Sequence, residues 1–339
     1  MNIWIDFANT PHVNFLLPII KNLKNKHKLF FTSRDFTETE ALLSLHNINA
    51  ISHGRHQGKN SFLKLTGLLS RDISLLQGLP HFDLSITVGG VFGLVSAIRG
   101  KPSICFGDNE LAVKTWESQL ANHYFFPKCV DKKELNKIGL TSKKRILYDG
   151  FKEDIYLADY IPDENFLNNL PFEDFITIRG EQVNAHYVPR GVKSLIPALF
   201  KIFSHFNFNV LYLPRNNSYK ELASRYPNIF VPPAPLKGLD VCHYSQAVIT
   251  GAGSFAREAA CMGTPAVSFF AGRKLIAVDQ LLVDNKKLFH SRNPLDIFRN
   301  VVNSKKTKLE ISRSKEVQKE VFYKLNKIIE RIENKNRSQ

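Results

Sequence analysis

The sequence predicts an α/β protein of two domains, each built on a parallel sheet, and three observations carry that expectation. Short β-rich runs alternate with helical patterns along most of the chain. Its 339 residues are enough for two separate cores, and one stretch of the first half recurs without a gap in the second. Strands separated by helices of ten or more residues pair in parallel through crossovers that cover the faces of the sheet. Binding and catalytic groups of such sheets gather at the carboxyl ends of the strands.

The alternation begins at the N-terminus. "NIWID" reads as a strand, "VNFLLPIIKNLKN" as a helix with apolar positions at helical spacing, and "KLFFTS" as the next strand. "TETEALLSLHN" follows as a helix, with Thr37 as its cap and Glu40 three residues on. "NAISH", "DLSITV" and "PSICFG" are further strands, separated by the helical runs "FLKLTGLLSRDISLLQGL" and "VFGLVSAIRG". After "YFFPKCV" the texture changes: residues 131–170 are charged, broken by prolines, and read as the interdomain connection. The pattern restarts with strand "DFITIRG", helix "GVKSLIPALFKIFSHF", strand "FNVLYLP" and helix "SYKELASRY". Strands "NIFVP" and "QAVITGA", helix "FAREAACMG" and strand "PAVSFF" complete it. The expected organisation is an N-terminal domain over 1–150, a linker over 151–170, a C-terminal domain over 171–310, and a basic amphipathic helix and tail over 311–339.

The internal match sets "ITVGGVFGLVSAIRGKPSICF" (86–106) against "ITGAGSFAREAACMGTPAVSF" (249–269). Both describe a strand ending in a glycine turn, a close-packed helix, a glycine cap, a proline and another strand. Duplication of one βαβ unit is the reading. The copies differ at one telling place: Leu94 and Val95 in the first correspond to Arg257 and Glu258 in the second.

Composition narrows the function classes. Hydrophobic residues make up 43% and charged residues 23%, as in an ordinary globular protein, and no apolar run is long enough to cross a bilayer. "MNIWIDFANTP" carries an acid and no basic region, so it does not read as a signal peptide. Cys105, Cys129, Cys242 and Cys261 are scattered with no CxxC pair, which argues against disulfides or a metal centre and for a reducing cytoplasm. The formal charge of +15 is spread along the chain. General surface basicity, attraction to an anionic membrane surface and nucleic-acid binding each accommodate it, but no nucleic-acid motif appears, so nucleic acid is the least favoured partner.

The candidate site residues fall in strand-end loops. Gly251, Ala252, Gly253 and Ser254 end a buried strand and open a helix, where small residues admit a ligand and the first N–H groups favour phosphate oxygens. Glu258, one turn inside, has the reach to accept hydrogen bonds from a ribose diol; a tight turn with a solvated acid is the plainer alternative. In "DFANTPHVNF", Asn9, Thr10 and His12 occupy the first strand-to-helix loop. Pro11 suits a first helical turn, which leaves His12 at a helix N-terminus facing the interdomain cleft, its imidazole held neutral as a base or merely capping. "ISHGRHQGKN" offers Arg55, His56 and Lys59 in a polar basic loop suited to an anionic acceptor or to solvent. In "GDNE", Asp108 and Glu110 are acid/base candidates, with Asn109 read as a helix cap.

These residues carry a resemblance. "KGLDVCHYSQAVITGAGSFAREAACMGTPAVSFF" resembles the donor-nucleotide segment of the GT-B superfamily, which includes the peptidoglycan N-acetylglucosaminyltransferase and the UDP-N-acetylglucosamine 2-epimerases. With "DFANTPHVNFLLPIIKNL" and "FTSRDFTETEALL", the chain resembles an archaeal and bacterial GT-B-like family labelled a domain of unknown function. The resemblance implies two Rossmann-like domains facing a cleft, with the C-terminal helix packed back across the first and a nucleotide-sugar, UDP-linked in such a family, on the C-terminal one. It implies that Gly251, Gly253 and Ser254 meet the pyrophosphate, Glu258 the ribose, Arg179 the diphosphate, and Asp279 and Gln280 the sugar hydroxyls. His12 matches the histidine of the transferase's first loop, and Asp108 falls where the epimerases carry a functional acid. Where the epimerase pattern has Ser-Gly-Gly, this chain has Ala252-Gly253-Ser254. The implied function is metal-independent glycosyl transfer, without a cofactor, from a UDP-sugar to a glycan or lipid-linked acceptor of the cell envelope. It would take place in the cytoplasm, at the inner face of the membrane where the acceptor is lipid-linked. A 2-epimerase of the same fold and a non-catalytic protein binding a nucleotide or an anionic polymer are the alternatives.

Overall fold

The structure, a computed structural model, describes residues 1–35, 37–55, 61–89, 93–110, 120–181, 188–189, 191–215 and 219–338; it describes the backbone but not the side chains at 10–11, 35, 37–38, 41, 55, 61–66 and 68–69. The chain forms two compact units, 1–156 with 314–339, and 157–313.

The N-terminal unit is a seven-stranded parallel sheet. In chain order its strands are β1 (Asn2–Phe7), β2 (Lys28–Asp35), β3 (Ala50–Arg55), β4 (Leu84–Val88), β5 (Ser103–Phe106), β6 (His123–Pro127) and β7 (Arg145–Tyr148). They lie side by side as β3-β2-β1-β4-β5-β6-β7. The chain winds outward from β1 to β3, then crosses to β4 and winds the other way, so a topological switch point falls between β1 and β4. The helices α1 (Thr10–Leu23), α2 (Thr37–Leu45), α3 (Ser61–Gly78) and α4 (Gly93–Ile98) make the first crossovers, and α5 (Lys132–Lys137) connects β6 to β7. Trp4, Leu75, Phe82 and Val95 pack into one buried cluster against this sheet.

The C-terminal unit repeats the plan with β8 (Ile176–Arg179), β9 (Val210–Leu213), β10 (Ile229–Phe230), β11 (Val248–Thr250), β12 (Ala266–Ser268) and β13 (Leu288–His290). The order β10-β9-β8-β11-β12-β13 puts its switch point between β8 and β11. Between the strands lie α7 (Ile196–His205), α8 (Lys220–Ala223), α9 (Gly238–Tyr244), α10 (Gly253–Cys261) and α11 (Ala277–Asp284), with α12 (Pro294–Asn303) after β13. The two matching segments of sequence are β4-α4-β5 and β11-α10-β12, and they hold the same places in the two sheet orders. The fold is thus α/β, with two Rossmann-like parallel-sheet halves.

Three sequence expectations change. The stretch 131–170 is not simply a connection: it supplies α5, β7 and the helix α6 (Lys152–Leu157). β7 is an edge strand of four residues in a lysine-rich context, the composition that keeps sheet edges from aggregating and that blurs a strand's hydrophobic signal. The helix expected from Gly191 begins at Ile196 instead, because Gly191 has φ +83 and a proline occupies the first turn. The short helix α9 was hidden by its lack of a capping side chain; its buried Asp240 accepts from the Tyr160 hydroxyl at 2.7 Å and the Asp163 amide at 3.0 Å.

The last helix, α13 (Ser312–Arg337), returns to the N-terminal unit. Val317, Val321, Leu325, Ile328 and Ile329 form its buried stripe at helical spacing. Ser314 donates to Asp154 at 2.8 Å, Lys324 to the Leu147 carbonyl at 2.7 Å and Asn22 to Asn326 at 3.0 Å. No helix among the described residues is long and apolar enough to cross a membrane.

Candidate functional site

In the C-terminal unit the polar groups collect at the switch point. Arg179 ends β8 and pairs in register with Thr250, the last residue of β11. The turn that follows, Gly251 to Ala252, leads directly into α10, whose first N–H groups have no intrahelical carbonyl to bond. The Arg179 guanidinium lies 5.0 Å from the ring centre of Phe255, in the first turn of α10, and so stands beside that N-terminus. Glu258, half-buried, lies one turn further along the helix. Burial raises the Cys242 thiol, with the Glu258 charge adding and Arg179 opposing, so all three share one local field.

The small residues of the turn have protein neighbours of their own. A Cβ at Gly251 would fall on the Glu181 side chain and 2.9 Å from its Cα; this glycine is required by the close approach of the two switch-point loops. Glu181 is itself fixed, accepting from the Leu195 amide at 2.7 Å and from Arg292 at 2.7 Å. Gly253 faces Arg257, whose Nη1 would lie 3.0 Å from an added Cβ. Arg257 bridges: it donates to Asp279 Oδ1 at 2.9 Å and to the Ser254 hydroxyl at 3.2 Å. Asp279, expected at sugar hydroxyls, is buried in this ion pair, and Gln280 is exposed and donates to Asp284 at 2.9 Å. Arg257 and Glu258, the charged pair that separates the two copies, therefore do different things: one clamps α10 to α11, the other stays near the turn.

In the N-terminal unit Asn9 caps α1 with extended backbone and no side-chain cap bond, and is exposed. His12 donates its amide to the Asn9 carbonyl at 2.9 Å. Its Nδ1 is buried and has no hydrogen-bond partner among the described residues. Burial pushes the imidazole pKa down to about 3, with Lys152 adding to the effect and Asp108 opposing it, then Arg34 and Arg71 adding. Lys152 donates to Asp108 at 2.6 Å, and the two side chains are only 12% and 18% exposed. The sequence reading named Asp108 and missed Lys152, which lay in the stretch taken for a connection. Thr10 and Arg55 lie on described backbone without described side chains, while His56 and Lys59 lie outside the described residues.

A second polar group beneath β1–β3 was also missed. Arg71 donates to Asp6 at 2.8 Å and to the His53 carbonyl at 2.6 Å, and Thr32, which also bonds Asp6, accepts from Trp4 at 2.9 Å. Asp72 beside it is 2% exposed, and neither carboxylate oxygen has a hydrogen-bond partner among the described residues. Burial raises its pKa to about 6 against the pull of Arg71 and Arg34. The signal was present in "LLSRDISLL", two adjacent charges inside an apolar helical run. Among the described residues no three His, Cys, Asp or Glu side chains converge as a metal site would need.

Two Rossmann-like halves, each with a polar cluster at its switch point, define a GT-B-like architecture. The comparison with solved structures agrees. The UDP-GlcNAc 2-epimerase of Methanocaldococcus jannaschii, solved with UDP-GlcNAc and UDP, has a TM-score of 0.73 at 15% identity, covering 95% of this chain and 98% of that one. The glycotransferase of kitacinnamycin has a TM-score of 0.63 at 10% identity, covering 98% of each chain. The chain belongs to the family described as protein of unknown function (DUF354), whose model matches residues 1–336. The uncharacterized protein MJ0665 of Methanocaldococcus jannaschii is 25% identical over 319 residues, 88% of this chain and 89% of that protein.

Proposed function

We propose that the protein is a sugar-nucleotide enzyme that transfers a glycosyl group from a UDP-sugar to a glycan or lipid-linked acceptor. The observation that carries this reading is Arg179 standing beside the N-terminus of α10 at the β8/β11 switch point, with Glu258 one turn inside. A diphosphate has a cation and unbonded helix N–H groups to meet there, and a ribose diol has a carboxylate within the same turn. Glu258 has no counterpart in the first copy, where Leu94 and Val95 stand in place of the charged pair.

In the transfer step an acceptor hydroxyl attacks the anomeric carbon, the bond from that carbon to the diphosphate breaks, and UDP leaves with the electron pair. The hydroxyl proton goes to a base, and His12, uncharged at neutral pH, takes that role. Charge on the leaving diphosphate is met by Arg179 and the helix N-terminus without a metal ion.

The epimerase reading is favoured by the likeness to the 2-epimerases and by the acid Asp108 after β5. Incubation of UDP-N-acetylglucosamine alone in D₂O separates the two. An epimerase removes the C2 proton and UDP to form the glycal, then adds UDP back at C1 and a solvent deuteron at C2, so the 2-epimer carries deuterium at C2 with no acceptor present. The transferase reading expects donor without deuterium at C2, and transfer once a glycan acceptor is added. Failure to bind UDP at all would remove both and leave a non-catalytic protein. Contact with an anionic membrane belongs to the same proposal: vesicle binding would require anionic lipid and weaken steeply with salt.

A further inference from the structure

His12 presents a chemical problem that the rest of its corner solves. A group whose conjugate acid has a pKa near 3 is uncharged at neutral pH but holds a proton poorly, and general bases work best when their pKa lies near the working pH. The cause is burial first, with an excess of positive charge adding to it. Lys152 from α6, Arg34 from β2 and Arg71 from α3 all depress the imidazole, and Asp108 in the loop after β5 alone opposes them. Arg71 is committed to Asp6 and to the His53 carbonyl. Arg34 is not so committed: its Nε is buried with no acceptor among the described residues, a donor left without a partner. The His12 Nδ1 is a second unpartnered buried atom in the same field. The charges of Asp6 and Asp72 also act on Arg34, and burial holds the Asp72 carboxyl largely protonated below about pH 6.

We propose that this corner binds an anionic group of the acceptor, a phosphate ester or a carboxylate, with Lys152 and Arg34 as its direct contacts. The anion's oxygens would satisfy the Arg34 Nε–H, share the Lys152 ammonium with Asp108, and cancel the positive field on His12. Opposite charge brought within a few ångströms raises an imidazole pKa by about 1–3 units, so the anion that identifies the acceptor also strengthens the base. The corner lies at the carboxyl ends of β1, β2 and β5 beside the β1/β4 switch point, where α/β sheets take their ligands. The net charge of +15 favours the approach of such an acceptor. This inference rests on the transferase reading for the word acceptor, and its test uses no donor.

The test follows the His12 ring by NMR in histidine-labelled protein, its resonance assigned by its loss in His12→Gln. Glycerol 3-phosphate, glucuronate, glucose and UDP are titrated separately. Glycerol 3-phosphate or glucuronate should raise the His12 pKa by about one unit or more, and neutral glucose should leave it unchanged. Which of the two anions acts tells phosphate from carboxylate. Lys152→Met and Arg34→Gln should each weaken that response at least tenfold, while Lys152→Arg retains it. Because Lys152→Met strands Asp108, the paired variant Lys152→Met with Asp108→Asn checks the result without an unpaired charge. The proposal is overturned if neither anion moves His12, if the paired variant responds like the parent, or if UDP alone produces the shift. A transferase active on neutral acceptors with an unresponsive His12 would sink this inference and leave the proposed function intact.

Discussion

Arg257 and Asp279 form a 2.9 Å ion pair between α10 and α11, with side chains only 4% and 9% exposed. A buried pair of this kind is held by geometry, and removing one partner leaves the other charge uncompensated in a place water does not reach. The pair fixes the first turn of α10, through Ser254, to the first turn of α11.

Asp279→Ala should therefore cost about 3–5 kcal/mol of stability, read as a lower denaturant midpoint or melting temperature. Gln280→Ala, at an exposed neighbour whose side chain bonds Asp284 within its own helix, should stay within about 0.5 kcal/mol of the parent. Equal stabilities for the two variants would show that the ion pair contributes nothing.

Glu258→Ala should weaken UDP binding by roughly ten- to hundred-fold, the loss of a hydrogen bond to a charged group. Val95→Ala, at the corresponding place in the other half, should leave UDP affinity unchanged because that residue is a buried apolar core position. Calorimetry on the three proteins decides it, and an unchanged affinity for Glu258→Ala takes that carboxylate out of the site.

Asp72 gives a stability prediction with a definite sign. Its folded pKa of about 6 lies above the ordinary carboxylate value of 3.8, so the folded state binds the extra proton between those pH values. The contribution to stability is full below about pH 3.8 and is lost as pH rises through about 6. Asp72→Asn removes the titration. Relative to the parent it should gain on the order of 2 kcal/mol between pH 4 and pH 7.5, with the largest relative benefit at the higher pH. His12 titrates in the opposite sense, its lowered pKa costing stability as pH falls below 6.5, but it is common to both proteins and cancels. A stability difference that does not vary with pH would place the Asp72 pKa at its ordinary value.

Leu325→Asp should unfold the seat of α13 on the N-terminal unit, since Leu325 is fully buried in the helix's apolar stripe. Hydrogen exchange should then lose protection in α1, β7 and α13 and keep it in β8 to β12. Uniform protection loss across both units, or none, would contradict the assignment of α13 to the N-terminal unit.

The sequence by itself determined the α/β class, the duplicated βαβ unit and the placing of glycines and acids at strand ends. Those features are local: hydrophobic period, turn chemistry and capping are written in neighbouring residues, and "ITGAGSFAREAACMGTPAVSF" carries all of them within one crossover. Tertiary structure alone decided which charges meet. Arg257 finds Asp279, Lys152 finds Asp108, and Arg71 finds Asp6 across separations of 22, 44 and 65 residues, partners that no spacing rule connects. The edge strand β7 and the particular partners of α13, Asp154, Leu147 and Asn22, were decided the same way. A four-residue strand and an amphipathic helix take their places from the surface they cover, which exists only once the sheet has formed.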